Sequence, residues 1–203
     1  MNKYLLIIIA AAALVGFGAY AQSVVSTFKD SRDGKTYRTV RIGTAVWMAE
    51  NLNFKAKRSK CYENKNANCA KYGRLYDDVL DALKACPAGF HLPDDEEWTA
   101  LIDYAGGEKK AGKKLKSTSG WNDNGNGTDE YGFSALPGGF GRAGGKFDGI
   151  GYQGMWWSAT PQFGNELWSQ GMNRSSESVD RISTKAQLQS VRCVQDDGKE
   201  KQK

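Results

Sequence analysis

Apolar and polar residues alternate with a period of two near the start of the chain and again toward its end, and recur at helical spacing in between. Tyr37 to Ile42 alternates and is rich in β-branched residues. The hairpin dipeptide Asp33-Gly34 precedes it, and Gly43-Thr44 separates it from Ala45 to Met48. With Thr27 to Lys29 these segments predict a β-meander over residues 24–50. Asn51 to Ala70 is polar and irregular and reads as a solvated loop, and Tyr72 to Tyr76 as a short strand. Val79, Leu80, Leu83 and Cys86 fall at helical spacing, which predicts a helix over Asp77 to Ala85 stopped by Pro87 and Gly89. Phe90 to Leu92 is a short strand ended by Pro93. Asp94 and Glu97 then form an Asp-x-x-Glu capping box for a second helix, with Trp98, Leu101, Ile102, Tyr104 and Ala105 as its apolar side and Gly106-Gly107 as its end.

Beyond that helix the pattern changes character. Residues 109–116 hold five lysines in eight positions, read as a solvated helix end. From Tyr131 to Met155 nine glycines are interleaved with Phe140, Phe147 and Tyr152, and no helical pattern follows. A phosphate-binding glycine loop would need a strand before it and a helix after. The expectation is therefore a long loop of positive-φ turns that presents aromatic rings. Strands return at Met155 to Thr160, Leu167 to Ser169, Ser178 to Ile182 and Ser190 to Val194, and residues 196–203 form a charged, apolar-free tail expected to be disordered.

Composition narrows the class. Lys3, the apolar run Leu5 to Val15 and Ala19-Tyr20-Ala21 have the form of a secretory signal peptide over residues 1–21, short for a membrane span. Its removal leaves 182 residues, with a short lead at 22–27, one domain at 28–195 and the tail, and no stable membrane span. Losing Lys3 lowers the net charge from +5 to +4, too small an excess to argue for nucleic acid. Four cysteines in an exported chain suggest disulfides, and three pairings are open. The favoured one joins Cys61 to Cys69 locally and Cys86 to Cys193, across most of the domain. A zinc site lacks any Cys-x-x-Cys pair.

Candidate chemistry concentrates between Trp121 and Gly154. Asp123, Asn126, Asp129 and Glu130 make an oxygen-rich loop of the kind that can hold calcium, although the spacing is not that of an EF-hand and Asx turns have the same composition. Trp121, Phe140 and Tyr152 offer rings for stacking on sugar faces, with Asp129 as a hydroxyl partner; these four are the candidate ligand contacts. No other cofactor is indicated.

Phe90-His-Leu-Pro-Asp-Asp-Glu-Glu-Trp98 is similar to the Arg-Leu-Pro-Thr-x-x-Glu-Trp signature of the formylglycine-generating (sulfatase-modifying factor) domain, a branch of the C-type lectin-like fold. The chain resembles the Fibrobacter succinogenes major paralogous domain more closely. That resemblance rests on the segments 33–40, Trp47 to Asn53, Gly127 to Gly139, Trp157 to Thr160 and Ser190 to Val194, and covers roughly residues 28–195. It implies an α+β, C-type lectin-like domain with two short helices, small antiparallel sheets and a long glycine-rich loop region. The terminal strands would lie together, and a disulfide from the first helix to the last strand would staple them.

The family's biochemical activity is not established. The resemblance suggests a secreted or cell-surface, non-catalytic module for binding or adhesion, with a plant-cell-wall polysaccharide or a surface protein as its partner. An oxidase of the formylglycine-generating type would need reactive thiols near the end of the domain, where only Cys193 stands. Hydrolase chemistry would need a base, and His91 is the only histidine, in a strand position that suits a structural role. A structural surface protein with no small ligand is the remaining alternative. The Trp121-Asn122-Asp123 string resembles a calcium-ligand motif of true C-type lectins, but it stands seventy residues before Cys193 rather than beside the last strands, so the calcium–sugar mechanism is not carried over.

Overall fold

The computed structural model describes residues 25–162, 167–183 and 188–197; the expected leader and residues 198–203 lie outside them. The meander forms as β1 (Val25–Lys29), β2 (Thr36–Ile42) and β3 (Ala45–Met48), with β1 starting inside the expected lead. Near the C-terminus β12 (Val194–Gln195) inserts between β3 and β5 (Phe90–His91), giving a five-stranded sheet in the order β1-β2-β3-β12-β5. The first and last parts of the chain thus share one sheet. A second sheet runs β10-β9-β8-β11-β6-β7, with β4 (Leu75–Asp77) paired to β11. It contains β6 (Gly138–Gly141), β7 (Phe147–Ile150), β8 (Gln153–Pro161), β9 (Leu167–Asn173), β10 (Asp180–Ile182) and β11 (Leu188–Ser190).

Among the described residues four α-helices form rather than two. α2 (Asp78–Leu83) and α3 (Asp95–Tyr104) are the expected pair, and both halves of the Asp94–Glu97 capping box are present. α1 (Asn66–Tyr72) falls in the stretch expected to be irregular and runs into the expected Tyr72–Tyr76 strand. A local Cys61–Cys69 bridge and a stop at Gly73 (φ 78°) secure a seven-residue helix that lacks an apolar pattern. α4 (Glu108–Leu115) turns the lysine run into a helix of its own. The glycine-rich region is corrected in part: it forms the β6–β7 hairpin and the start of β8 rather than one long loop, while Gly132, Gly139, Gly144, Gly145, Gly149 and Gly151 do take the expected positive φ. Some of its glycines also serve close packing. A Cβ on Gly139 would lie 2.5 Å from the Asp148 carbonyl oxygen, and one on Gly141 2.5 Å from a Leu188 methyl. The predicted strand 190–194 is split in two, because Val191 to Cys193 carry the chain from one sheet to the other.

The period of two sends neighbouring residues into different cores. Trp47 and Trp156 enter one with Val40, Trp98, Leu115 and Phe133, whereas Met48 and Trp157 enter another with Tyr37, Tyr76, Leu92 and Cys193. The first core centres on an aromatic triad, with Trp47 5.0 Å from Trp98 and 5.7 Å from Phe133 between ring centroids. Asn51 ties the two sheets together. Its Oδ1 accepts from Trp156 Nε1 (2.8 Å) and from Arg192 Nε (3.1 Å) and Nη2 (2.8 Å), while its Nδ2 donates to the Tyr72 carbonyl (2.8 Å) and Ser190 Oγ (3.3 Å). Arg192 is fully buried and also donates to the Met48 and Phe133 carbonyls, with its guanidinium 4.5 Å from the Phe133 ring centroid. Burial pushes its pKa down to about 9, with Glu50 and Asp129 pulling the other way, so it stays charged at neutral pH.

Both expected disulfides are formed, across separations of 8 and 107 residues. The chain-entropy model assigns the long loop about 5 kcal/mol and the short one about 2–3 kcal/mol. Denaturant unfolding should therefore show Cys86→Ser/Cys193→Ser less stable than Cys61→Ser/Cys69→Ser by about 2 kcal/mol. Equal losses would mean that the long bridge does not limit the unfolded chain. In the same assay Asn51→Leu, which strands a buried guanidinium and an indole N–H, should cost about 3–4 kcal/mol. Asn51→Asp, which keeps the acceptor, should cost less.

Candidate functional site

An open cleft of about 520 Å³ lies where β2, the Glu50–Asn53 segment, the end of α1 and the Ser117–Ser119 turn meet. Each wall comes from a different part of the chain. β2 begins there, as the chain leaves the β1–β2 turn, so Lys35 and Arg38 line the opening. Arg38 donates from its backbone N to Glu50 Oε2 (2.7 Å) and from Nε to Oε1 (3.1 Å), which fixes the carboxylate in place. Lys35 Nζ donates to the Asn53 carbonyl, and the Asn53 N–H donates to Tyr37 Oη at 3.0 Å. Burial raises the Tyr37 phenol to about 12, only partly offset by that N–H, so the phenol stays neutral. Opposite, Asp129 accepts from the Ser134 N–H (2.7 Å) and Oγ (2.6 Å) and holds the loop in a left-handed turn, φ 49°. Thr118 and Ser119 are exposed between these walls. Hydroxyl, amide, carboxylate and cationic groups therefore face one open space, a set suited to a ligand rich in hydroxyls.

The four sequence-derived contact candidates are not brought together. Asp129 lines the cleft. Trp121 is buried, its indole N–H donating to the Ala135 carbonyl at 2.9 Å, so it offers no free ring face. Phe140 is buried against Met155 and Ile182, because β6 turns that side inward. Tyr152 is 44 % exposed but lies elsewhere, under the Arg174 guanidinium 4.4 Å from its ring centroid.

The proposed calcium ligands also scatter. Asp123 pairs with Arg174, Asn126 Oδ1 accepts the Trp121 N–H (3.0 Å), Asp129 holds Ser134, and Glu130 meets Lys114 at 3.4 Å. Among the described residues no group of three or more His, Cys, Asp or Glu side chains is arranged to hold a metal ion. A buried cation is present here all the same. Lys116, 2 % exposed and thus no part of a solvated helix end, donates from Nζ to the Ser176 (2.8 Å) and Asn173 (3.1 Å) carbonyls, 5.2 Å from the Trp121 ring centroid. Burial and the nearby Lys113 lower its pKa, against an opposing pull from Glu177.

His91 lies outside the cleft, with Nε2 2.7 Å from Glu97 and Nδ1 2.6 Å from Asp196. Asp196, expected in a disordered tail, is held by this contact and by donation from its N–H to the Gly89 carbonyl at 2.9 Å. Sequence reasoning missed the cleft residues Glu50, Asn53, Thr118 and Ser119. They come from separate segments, and no spacing in the chain links them.

Lys116→Met, which leaves two buried carbonyls without their ammonium, should lower stability by about 2–3 kcal/mol in denaturant unfolding. Millimolar calcium should leave the thermal midpoint of the unsubstituted protein unchanged, whereas a rise that EDTA reverses would reinstate a metal in the 123–130 loop.

No helix among the described residues is long and apolar enough to cross a membrane. Comparison with curated proteins and with solved structures finds no match. The family model of the Fibrobacter succinogenes major domain, in contrast, matches residues 40–195, and so includes β3 through β12 and every lining residue of the cleft except Lys35 to Arg38. The chain belongs to the Fibrobacter succinogenes major domain family.

Proposed function

We propose that this domain is a non-catalytic binding module working outside the cytoplasm, and that its cleft recognises a polysaccharide of the plant-cell-wall type. The observation that carries the reading is the wall chemistry of the cleft. Carbohydrate hydroxyls act as donors and acceptors together, so their recognition calls for fixed acceptors beside free donors. Glu50 and Asp129 are fixed acceptors, while Asn53, Thr118 and Ser119 can do either. The cations Lys35 and Arg38 also line the cleft, held by the Asn53 carbonyl and Glu50, with Lys71 beside them.

Two disulfides suit an oxidising compartment and support export through residues 1–21. With Cys61, Cys69, Cys86 and Cys193 all paired, a thiol-dependent oxidase has no thiol to use. The sharing of one sheet by β1–β3 and β12, together with the Cys86–Cys193 bridge, supports a C-type lectin-like arrangement.

Pull-down of the mature protein on insoluble cellulose, xylan and chitin tests the reading. Saturable retention on at least one is expected, weakened about tenfold or more in Asn53→Ala/Thr118→Ala/Ser119→Ala, since each lost hydrogen bond is worth about 0.5–1.5 kcal/mol. Tyr152→Ala, outside the cleft, should bind normally. Retention that follows Tyr152 instead would move the site to that exposed ring. Absence of retention on all three would favour a surface protein with no sugar ligand.

A further inference from the structure

The single histidine of the chain is placed between two carboxylates that come from distant elements. His91 stands on β5. Glu97 belongs to the first turn of α3, and Asp196 follows β12, which pairs with β5 through Val194↔His91 and Gln195↔Phe90. An ionised carboxylate accepts hydrogen bonds and cannot donate them. To bond both partners, both ring nitrogens must therefore carry a proton, which makes the ring an imidazolium.

The two carboxylates are held unequally. Glu97 has a second duty, since its Oε2 accepts the Asp94 N–H at 3.0 Å to complete the capping box, and its side chain is 24 % exposed. Its carboxyl is kept below the usual glutamate range: burial raises it, but the hydrogen bond from His91, the Asp94 N–H and the charge of His91 together outweigh that. Asp196 has a side chain 53 % exposed, in a segment anchored beyond β12 by the bond from its N–H to Gly89. When the ring loses a proton it keeps only one donor, and the more solvated carboxylate is the one that water can satisfy.

The other charged groups around the ring work in the same direction. Asp94 and Glu96 flank Glu97 at the start of α3, Asp95 there is paired with Arg181, and Asp197 follows Asp196. Against them stands Arg41 on β2, which lines the same groove as Glu97 and Asp196 and whose Nη1 donates to the Thr44 carbonyl at 2.9 Å. An acidic surround favours the charged ring. Asp196 and Asp197 also line a groove of about 830 Å³ that runs along residues 41–47 and α3.

We propose that His91 is a proton-controlled clasp: the imidazolium pins Asp196 to the start of α3, and loss of its proton frees Asp196 and Asp197 and opens the groove that they line. β12 stays paired in both states. The sign follows from linkage. A partner that favours the protonated ring contributes its stabilisation in full below the ordinary histidine range, and that contribution is lost as pH rises through the folded-state midpoint.

Because there is one histidine, a proton NMR titration of the untagged mature protein reads the clasp without ambiguity. The His91 ring should titrate about one unit or more above the ordinary value of about 6.5. Hydrogen exchange at the Asp196 amide, corrected for the intrinsic effect of pH, should quicken about tenfold or more across the same midpoint. Asp196→Asn, an exposed change that leaves the capping box intact, should lower the ring midpoint and leave exchange at residue 196 fast on both sides of it. A ring that titrates at or below about 6.5, or Asp196 protection that does not change through the titration, would overturn the clasp. Neither result bears on polysaccharide retention, which depends on a different face.

Discussion

A buried positive charge with no carboxylate in contact is the constraint on which the rest of the structure depends. Arg192 lies between the two sheets, and its guanidinium is satisfied by Asn51 Oδ1, two backbone carbonyls and the Phe133 ring. Uncompensated, such a charge would cost several kcal/mol, so every one of these acceptors has to stay in place. Asn51 in turn holds the Trp156 indole, the end of α1 and Ser190. One side chain therefore sets the spacing of the first sheet, the second sheet and the first helix. Cys193, next in the chain, is locked to Cys86, which keeps Arg192 from sliding out of the seam.

The cleft is a consequence of this arrangement. Asn51 lies in its wall, and the two carboxylates that face it, Glu50 and Asp129, are also the acidic groups that act on Arg192 from a distance. They offset a buried cation on one side and are available to a ligand on the other. A change at either would be felt in stability as well as in binding, so the hydroxyl and amide groups of the cleft are the cleaner probes of recognition. The 123–130 loop follows the same logic. The cation that organises the carbonyls beside it is the Lys116 ammonium, and Asn126 and Asp129 are spent on local bonds while Asp123 pairs with Arg174.

Legibility in the sequence followed the range of the interaction. The meander, the capping box at Asp94 and Glu97, and the helix with Trp98 and Leu101 were readable because periodicity and capping are local. α1 was not, since it has no apolar stripe and depends on a disulfide. The glycine-rich segment was read for its turns but not for its strands, because glycine has two uses, freedom to turn and freedom from a Cβ, and composition does not separate them. At Gly141 the second use decides, through contact with Leu188, and at Gly139 both apply, with φ 67° and contact with Asp148. Trp121 and Phe140 were legible as aromatic and therefore as candidates for stacking, but the side of the sheet that Phe140 faces is a property of register, and Trp121 is buried by a loop that brings its indole to the Ala135 carbonyl.

By itself the sequence determined the family and the strands and helix cap that carry its motifs, because each depends on residues close in the chain or on a motif that recurs, and it favoured the cysteine pairing that formed. The tertiary structure alone decided that Lys116 is buried, that Asp196 is held by His91, and that Glu50, Asn53, Thr118 and Asp129 share one cleft. Those outcomes need groups up to about a hundred residues apart to meet, and a solvated charge and a buried one are spelled with the same residue.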